Sequence, residues 1–475
     1  MRFSEVFGVN NRRRDDNWFD PVLSVDTPLF IDPFLIYDNE QAIFRGSHSE
    51  ITRFFKLAFT LLAKSGGKKV SNRYQKAVSD LIFPEAEELC LGYTKAGTHG
   101  LGSGREMGTI MASAIWDAIQ AGMLNLDHFE EVAILRENIG PDRISDITAN
   151  LLRHRLAKYT LQICRRHKIP VTKFKYVRSR FDANKGRWIA GTFKLPVNPY
   201  NNKAILLVPT FYLKDLPTIN AIDFWDYCVT FRSAELRREL NMDITRHVPK
   251  KTIVEIARKH AEWRNAYVAY QESRRARPYN VSKDKKGFIK WYDASKSFVA
   301  TNPIQFTIQD EQSFLQAVTA MVSEFRHFVE QNGGYRLLWN DNGTSKAEKA
   351  AQLLFLGVIK HYCHANNIDV SPEPNIGRGP VDFKVAIGLG LRALLELKLA
   401  RNGKFWNNAR KQLPAYLIAE RIANGFFVVI TFTENDQKRT RRIKAEVTSA
   451  AKAAKCRIQT IVVDAGTDKP SASRL

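Results

Sequence analysis

The sequence predicts an α/β fold for its C-terminal part, in the order helix, strands, helix, strand, helix, strand, preceded by a mainly helical α+β region. Three observations carry this. Residues 346–475 alternate between helical and strand periodicity, with turn residues at the joints. The chain, at 475 residues, exceeds the roughly 250–300 residues at which single cores stop growing, so more than one domain is expected. Hydrophobic residues make up 44% and charged residues 25%, a globular composition rather than a disordered one.

The charge balance points to a class of partner. Lys and Arg number 72 against 49 Asp and Glu, a formal +23. Such an excess favours a polyanion, because neutralised phosphates release their counterions. Positive charge is densest in residues 336–475, with 23 basic and 12 acidic groups. No run of about 18 apolar residues occurs, so no membrane span is expected. Met1 to Glu5 lacks the basic-then-apolar start of a signal peptide. The cysteines, Cys90, Cys164, Cys228, Cys363 and Cys456, are scattered and form no CxxC pair. That pattern suits reduced thiols in a cytoplasm and argues against a disulfide framework or a Cys-rich zinc site.

Along the chain, Leu29 to Ile36 reads as a buried run broken by Pro33. A helix is expected over about 50–63, from Ile51, Phe54, Phe55, Ala58 and Leu61. The loop Gly97–Gly104 opens a helix over about 105–122; no Gly-Lys-Ser/Thr follows it, so it reads as a turn. A helix over about 147–167 has Asp142 or Ser145 as its cap. The character changes near 170. Strands follow at 187–191 and 204–209, and helices return over about 216–270. From Arg274 to Lys290, seven basic residues interleave with Tyr279, Phe288, Trp291 and Tyr292. This is either a linker or a nucleic-acid-binding loop, in which Arg274, Arg275 and Arg277 grip backbones and the aromatics stack on bases. Turn residues at 331–334 and 340–343 place the main boundary, dividing 1–335 from 336–475.

The C-terminal part opens with a helix over about 346–365 and a Pro/Gly-rich loop at 371–380. Strands at 381–387 and 392–400 flank the turn Gly388-Leu389-Gly390. Successive strand side chains point to opposite faces, so Glu396 and Lys398 share a face with Leu394, while Leu395, Leu397 and Leu399 fill the other. Asp382, on the preceding strand, approaches them across the ladder. Two carboxylates offer hard oxygen ligands to Mg²⁺. Such an ion polarises a phosphate and lowers the pKa of its water. A lysine beside it orients that water or offsets developing negative charge. The plain alternative is a surface ion pair on an edge strand, but this strand is too apolar for an edge.

Gly379-Pro380-Val381-Asp382, then 13 residues, then Glu396-Leu397-Lys398 resembles the motif of the PD-(D/E)xK nucleases. Glu348, on the first helix, stands where many such nucleases carry an acid. Gln412, on the helix after the lysine strand and close to Tyr416, matches a Gln-and-Tyr signature. The resemblance covers about the last quarter of the chain and implies a restriction-endonuclease-like αβββαβ core. By that resemblance, Asp382 and Glu396 are ligands of Mg²⁺ (or Mn²⁺), and Lys398 activates water or stabilises charge. Glu348 is an auxiliary acid, and Gln412 positions the lysine or the water. Lys384, Lys404 and Arg410 either contact phosphates or serve as solubilising charges. The expected activity is metal-dependent phosphodiester hydrolysis, first of all as a DNA endonuclease. A role in defence against foreign DNA follows only by analogy with the uses of the fold. The alternatives are a nucleic-acid-binding protein that keeps the nuclease fold without cutting, and an RNA nuclease. The N-terminal region is expected to recognise a target or partner, with a homo-oligomer or a partner protein left open.

Overall fold

Apolar residues three and four apart wind long stretches of the first 279 residues into helices. The computed structural model describes residues 1–10, 16–38, 41–92, 104–123, 127–240, 248–340, 342–372 and 381–467. Among these, one compact unit ends at Tyr279 and a second begins at Asn280.

In the first unit, the helix Ser47–Ser65 buries Ile51, Phe54, Phe55, Ala58, Phe59 and Leu62 in one stripe. It ends where Gly66 turns left-handed at φ 59°, a conformation glycine adopts without a Cβ penalty. The helix Pro141–Arg166 starts earlier than the expected 147. Pro141 stands in its first turn, where a fixed φ helps and a missing N–H costs nothing. Ser145 is therefore inside the helix, and its hydroxyl accepts the Ile31 N–H at 3.0 Å instead of capping. Beyond residue 170, Thr172–Asp182 and Arg187–Leu195 form an antiparallel hairpin. The expected strand at 204–209 is buried but joins no ladder. Its backbone N–H groups go to Pro196, Glu88 and, at Leu207, the Thr160 hydroxyl. Helices Ala221–Phe231, Ser233–Leu240, Lys250–Lys259 and Ala261–Glu272 occupy the helical stretch that follows. Phe224, Trp225, Ile253, Trp263 and Tyr267 share its core.

One buried cluster gives this unit a pH dependence. His128 is 2% exposed, and it pairs with Glu130 at 3.5 Å and Glu272 at 3.0 Å. Burial works against its charge, but these carboxylates, with Glu131 nearby, raise its pKa to about 9. Burial also raises Glu131 to about 7, against the opposing charges of His128 and Arg264. The rings of Phe34, Tyr37 and His48 pack on the imidazole. Both folded pKa values lie above their unfolded ones. The stabilisation is therefore complete at low pH and is lost as pH rises through about 7 and then about 9. His128→Gln should melt below wild type at pH 6, with the gap closing by pH 10. Equal gaps at both pH values, read by thermal denaturation, would contradict this.

The second unit begins earlier than the expected boundary at 336. The helices Lys290–Thr301 and Glu311–Gln331 belong to it, because both pack on the helix Glu348–Ala365. Gly357 lets Lys290–Thr301 approach closely, since a Cβ there would strike Ser295 and Trp291. Phe325 meets the edge of Phe355 at 4.9 Å between ring centres.

Five strands form its sheet: β1 (Asp369–Pro372), β2 (Phe383–Ile387), β3 (Leu391–Leu399), β4 (Asn424–Thr431) and β5 (Arg457–Asp464), side by side in that order. β2 runs antiparallel to both β1 and β3, whereas β3, β4 and β5 are parallel. Ser371 and Pro372, expected in a loop, close β1; residues 373–380, including Gly379 and Pro380 of the motif, lie outside the described residues. β3 is thus the middle strand, not an edge. Phe383 and Leu395, paired in register, lie on the face covered by Phe355, whose ring is 5.2 Å from that of Phe383. Leu394, Phe427 and Val429 join the opposite core with Phe405, Leu413, Leu417, Ile443 and Val447. Each fully buried leucine contributes about 1.5–3 kcal/mol, and Leu394, Leu395 and Leu397 are all 0% exposed. A one-residue slip of β3 would exchange its faces, so the register that places Glu396 and Lys398 is strongly fixed. Among the described residues, no helix is long and apolar enough to cross a membrane.

Candidate functional site

The period-two alternation of β3 sets Glu396 and Lys398 on one face, two residues apart. The hairpin register, Phe383 opposite Leu395, brings Asp382 opposite Glu396. The Asp382 N–H donates to Glu396 Oε2 at 3.3 Å, and the Leu397 N–H donates to Asp382 Oδ2 at 2.7 Å. Glu348 arrives from the first turn of its helix, where the helix dipole favours a carboxylate. Its oxygens face β3 rather than its own helix end: Oε2 accepts the Leu399 N–H at 3.1 Å and the Asn402 amide at 3.0 Å.

These three acids converge on one cation. Lys398 Nζ stands 3.1 Å from Asp382 Oδ2, 3.1 Å from Glu396 Oε1 and 3.2 Å from Glu348 Oε1. Asp382, Glu396 and Lys398 are 8%, 1% and 7% exposed. Water therefore screens the charges poorly, and three carboxylates face one ammonium. Burial raises the Asp382 carboxyl, against the pull of Lys398. Burial, and then the charge of Asp382, raise Glu396 to about 8. Lys398 moves up in spite of its burial, because Asp382, Glu396 and Glu348 surround it. The ammonium is thus secure, and the surplus negative charge is what the site must accommodate. Among the described residues, no three His, Cys, Asp or Glu side chains are gathered closely enough to hold a metal ion by themselves. The Lys398 ammonium occupies the point on which the acids converge.

Among the described residues, Gln412 makes no hydrogen bond to Lys398. It lies in the π-helical turn Asn408–Gln412, and its amide donates to the Tyr416 hydroxyl. Burial raises the Tyr416 hydroxyl, and the charges of Glu396, Lys398 and Asp382 also act on it, so the pair lies beside the acids. Gln352 belongs to the site and was not anticipated: its amide donates to Asp382 Oδ1 at 2.9 Å. It follows Glu348 by four residues, and that spacing puts both on one helix face. Asn402, just past β3, is the other addition.

The flanking basic residues divide. Lys384 is paired with Glu420 at 2.7 Å. Arg410 is paired with Glu446 at 3.1 Å and lies over the Trp406 ring. Lys404 is exposed, with no ion-pair partner among the described residues. Arg274, Arg275 and Arg277 belong to the first unit and are exposed. Trp291 and Tyr292, expected to stack on bases beside them, are 4% and 2% exposed and pack inside the second unit. Of the loop Gly97–Gly104, residues 97–103 lie outside the described residues.

Two family models match the chain. One, a domain of unknown function (DUF8370), covers residues 8–220. The other, also a domain of unknown function (DUF8371), covers residues 314–434 and so includes Glu348, Asp382, Glu396, Lys398 and Gln412. No curated protein and no solved structure matches the chain.

Proposed function

We propose that the second unit is a metal-dependent nuclease with a restriction-endonuclease-like core, and that its substrate is nucleic acid, DNA first. The observation that carries this reading is the buried meeting of Asp382, Glu396 and Glu348 around Lys398, three carboxylates against one ammonium. An all-carboxylate donor set suits Mg²⁺ or Mn²⁺, which prefer oxygen ligands. Surplus buried negative charge also favours a divalent cation, because burying an unbalanced charge is costly.

Asp382 and Glu396 would hold the ion, with Glu348 beside them. When bound, it would supply Lewis-acid activation of a phosphate and of water. The chain's own residues do the rest. The Leu397 N–H and the Gln352 amide fix both oxygens of Asp382, so its carboxylate is oriented before any ligand arrives. Lys398 stays protonated next to the acids and so can neutralise charge on a phosphate, a role that needs an ammonium rather than an amine. Gln412 holds Tyr416, which borders the same face. The formal +23 supports a polyanionic substrate.

The test is incubation of the purified chain with plasmid, linear duplex, single-stranded DNA and RNA, in Mg²⁺ or EDTA, beside Asp382→Ala and Lys398→Ala. Cutting by wild type in Mg²⁺ alone, lost in both variants, is the expected result. Binding without cutting by wild type would leave a non-cleaving nucleic-acid-binding protein. Cutting of RNA alone would shift the substrate.

A further inference from the structure

The last helix of the first unit, Ala261–Glu272, ends in an aromatic and basic corner. Tyr227 and Phe231 lie one turn apart on Ala221–Phe231, with ring centres 4.9 Å apart. Tyr270, on Ala261–Glu272, meets them at 5.3 and 5.4 Å. Phe231 is 52% exposed, so its ring is open to solvent beside the two tyrosines. Arg274 lies over the Tyr270 ring at 5.1 Å and donates to its hydroxyl at 2.8 Å. Arg275 and Arg277 follow, exposed and without an ion-pair partner among the described residues. These groups, with Lys214, line a cavity of about 850 Å³, within the roughly 300–1,000 Å³ usual for ligand sites.

We infer that this corner is a binding site for unpaired nucleotides, with bases stacking on Phe231, Tyr227 and Tyr270 and phosphates held by Arg275 and Arg277. A ring offers its face to any base, and an unpartnered guanidinium offers paired donors to phosphate oxygens. A duplex keeps its bases stacked on one another and cannot place one against these rings. An acidic peptide would satisfy the arginines and leave the rings uncovered. Asp223 and Asp226 also line the cavity and oppose an anion. Asp226 is exposed, which makes it a lever for the test. The inference deepens the nuclease reading by assigning the chain a single-strand recognition site, and it rests on that reading only for its biological use.

The experiment is fluorescence anisotropy on the full chain in EDTA, with labelled oligothymidylate and oligouridylate and a salt titration. Phe231→Ala should bind about tenfold more weakly, the loss expected of one stacked base. Arg275→Ala/Arg277→Ala should bind more weakly and flatten the salt slope by about 1.4, roughly 0.7 for each phosphate contact. Asp226→Asn should bind more tightly, a gain that misfolding cannot imitate. An unchanged slope in the arginine variant, no gain in Asp226→Asn, or equal competition by blunt duplex or polyglutamate would each overturn the inference. Cleavage is read separately, in Mg²⁺, on plasmid. Failure of oligonucleotide binding with cleavage intact would therefore sink this site and leave the nuclease standing, and the converse holds as well.

Discussion

Asp382→Asn should cut nucleic acid in Mg²⁺ at least about 10³-fold more slowly than wild type, while keeping its fold. The expectation follows from how much converges on this one carboxylate. It accepts the Leu397 N–H, the Gln352 amide and the Lys398 ammonium, and it lies opposite Glu396 across the hairpin. Asparagine keeps the shape and one acceptor but removes the charge that would attract a divalent ion. The loss should therefore appear in the rate and in the metal concentration required, beyond whatever stability is lost with the second acceptor. Initial rates on supercoiled plasmid across a Mg²⁺ series measure both. A variant that cuts at the wild-type rate would remove Asp382 from the chemistry.

Lys398→Met should destabilise the metal-free protein by about 3–5 kcal/mol, the usual cost of removing one partner from a buried ion pair. Methionine matches the volume of the stem, so little of the loss is packing. What changes is that Asp382, Glu396 and Glu348 lose the ammonium within 3.2 Å of all of them. Adding Glu396→Gln removes one of the stranded charges, so the double variant should recover part of the loss, a non-additivity expected of groups in one network. Urea titrations in EDTA at pH 8 give all the values. A single variant as stable as wild type, or strict additivity in the double variant, would mean that these charges are solvated rather than buried against one another.

Much of the site was legible because it is local. The alternation Leu395-Glu396-Leu397-Lys398-Leu399 assigns faces within one strand, and the turn Gly388-Leu389-Gly390, where Gly388 adopts φ 58°, fixes the register that sets Asp382, just before β2, against Glu396. Pro141 also marks a helix start, whereas Asp142 and Ser145, the cap candidates, fall inside the helix. Other features depend on contacts that spacing does not encode. Lys384 and Glu420, like Arg410 and Glu446, are 36 residues apart in sequence, so their pairing is visible only in the fold. Trp291 and Tyr292 follow a basic segment, which suggested exposure. Yet Trp291, Ser295, Phe298 and Val299 form a buried helical stripe that begins there. The boundary moved from 336 to 280 for the same reason: which core a helix joins is decided by close approach at a residue such as Gly357. Gln352 was within reach, four residues after Glu348, but it sits among buried leucines that made the helix read as purely apolar.

The most direct measurement is calorimetric titration of Mn²⁺ into the metal-free chain, beside Asp382→Asn. A saturable uptake by wild type that disappears in the variant, with unchanged circular dichroism, is the predicted result. Wild-type protein that takes up no Mn²⁺, or a variant that binds it equally well, would show that the acids around Lys398 form an internal ion-pair cluster and not a metal site.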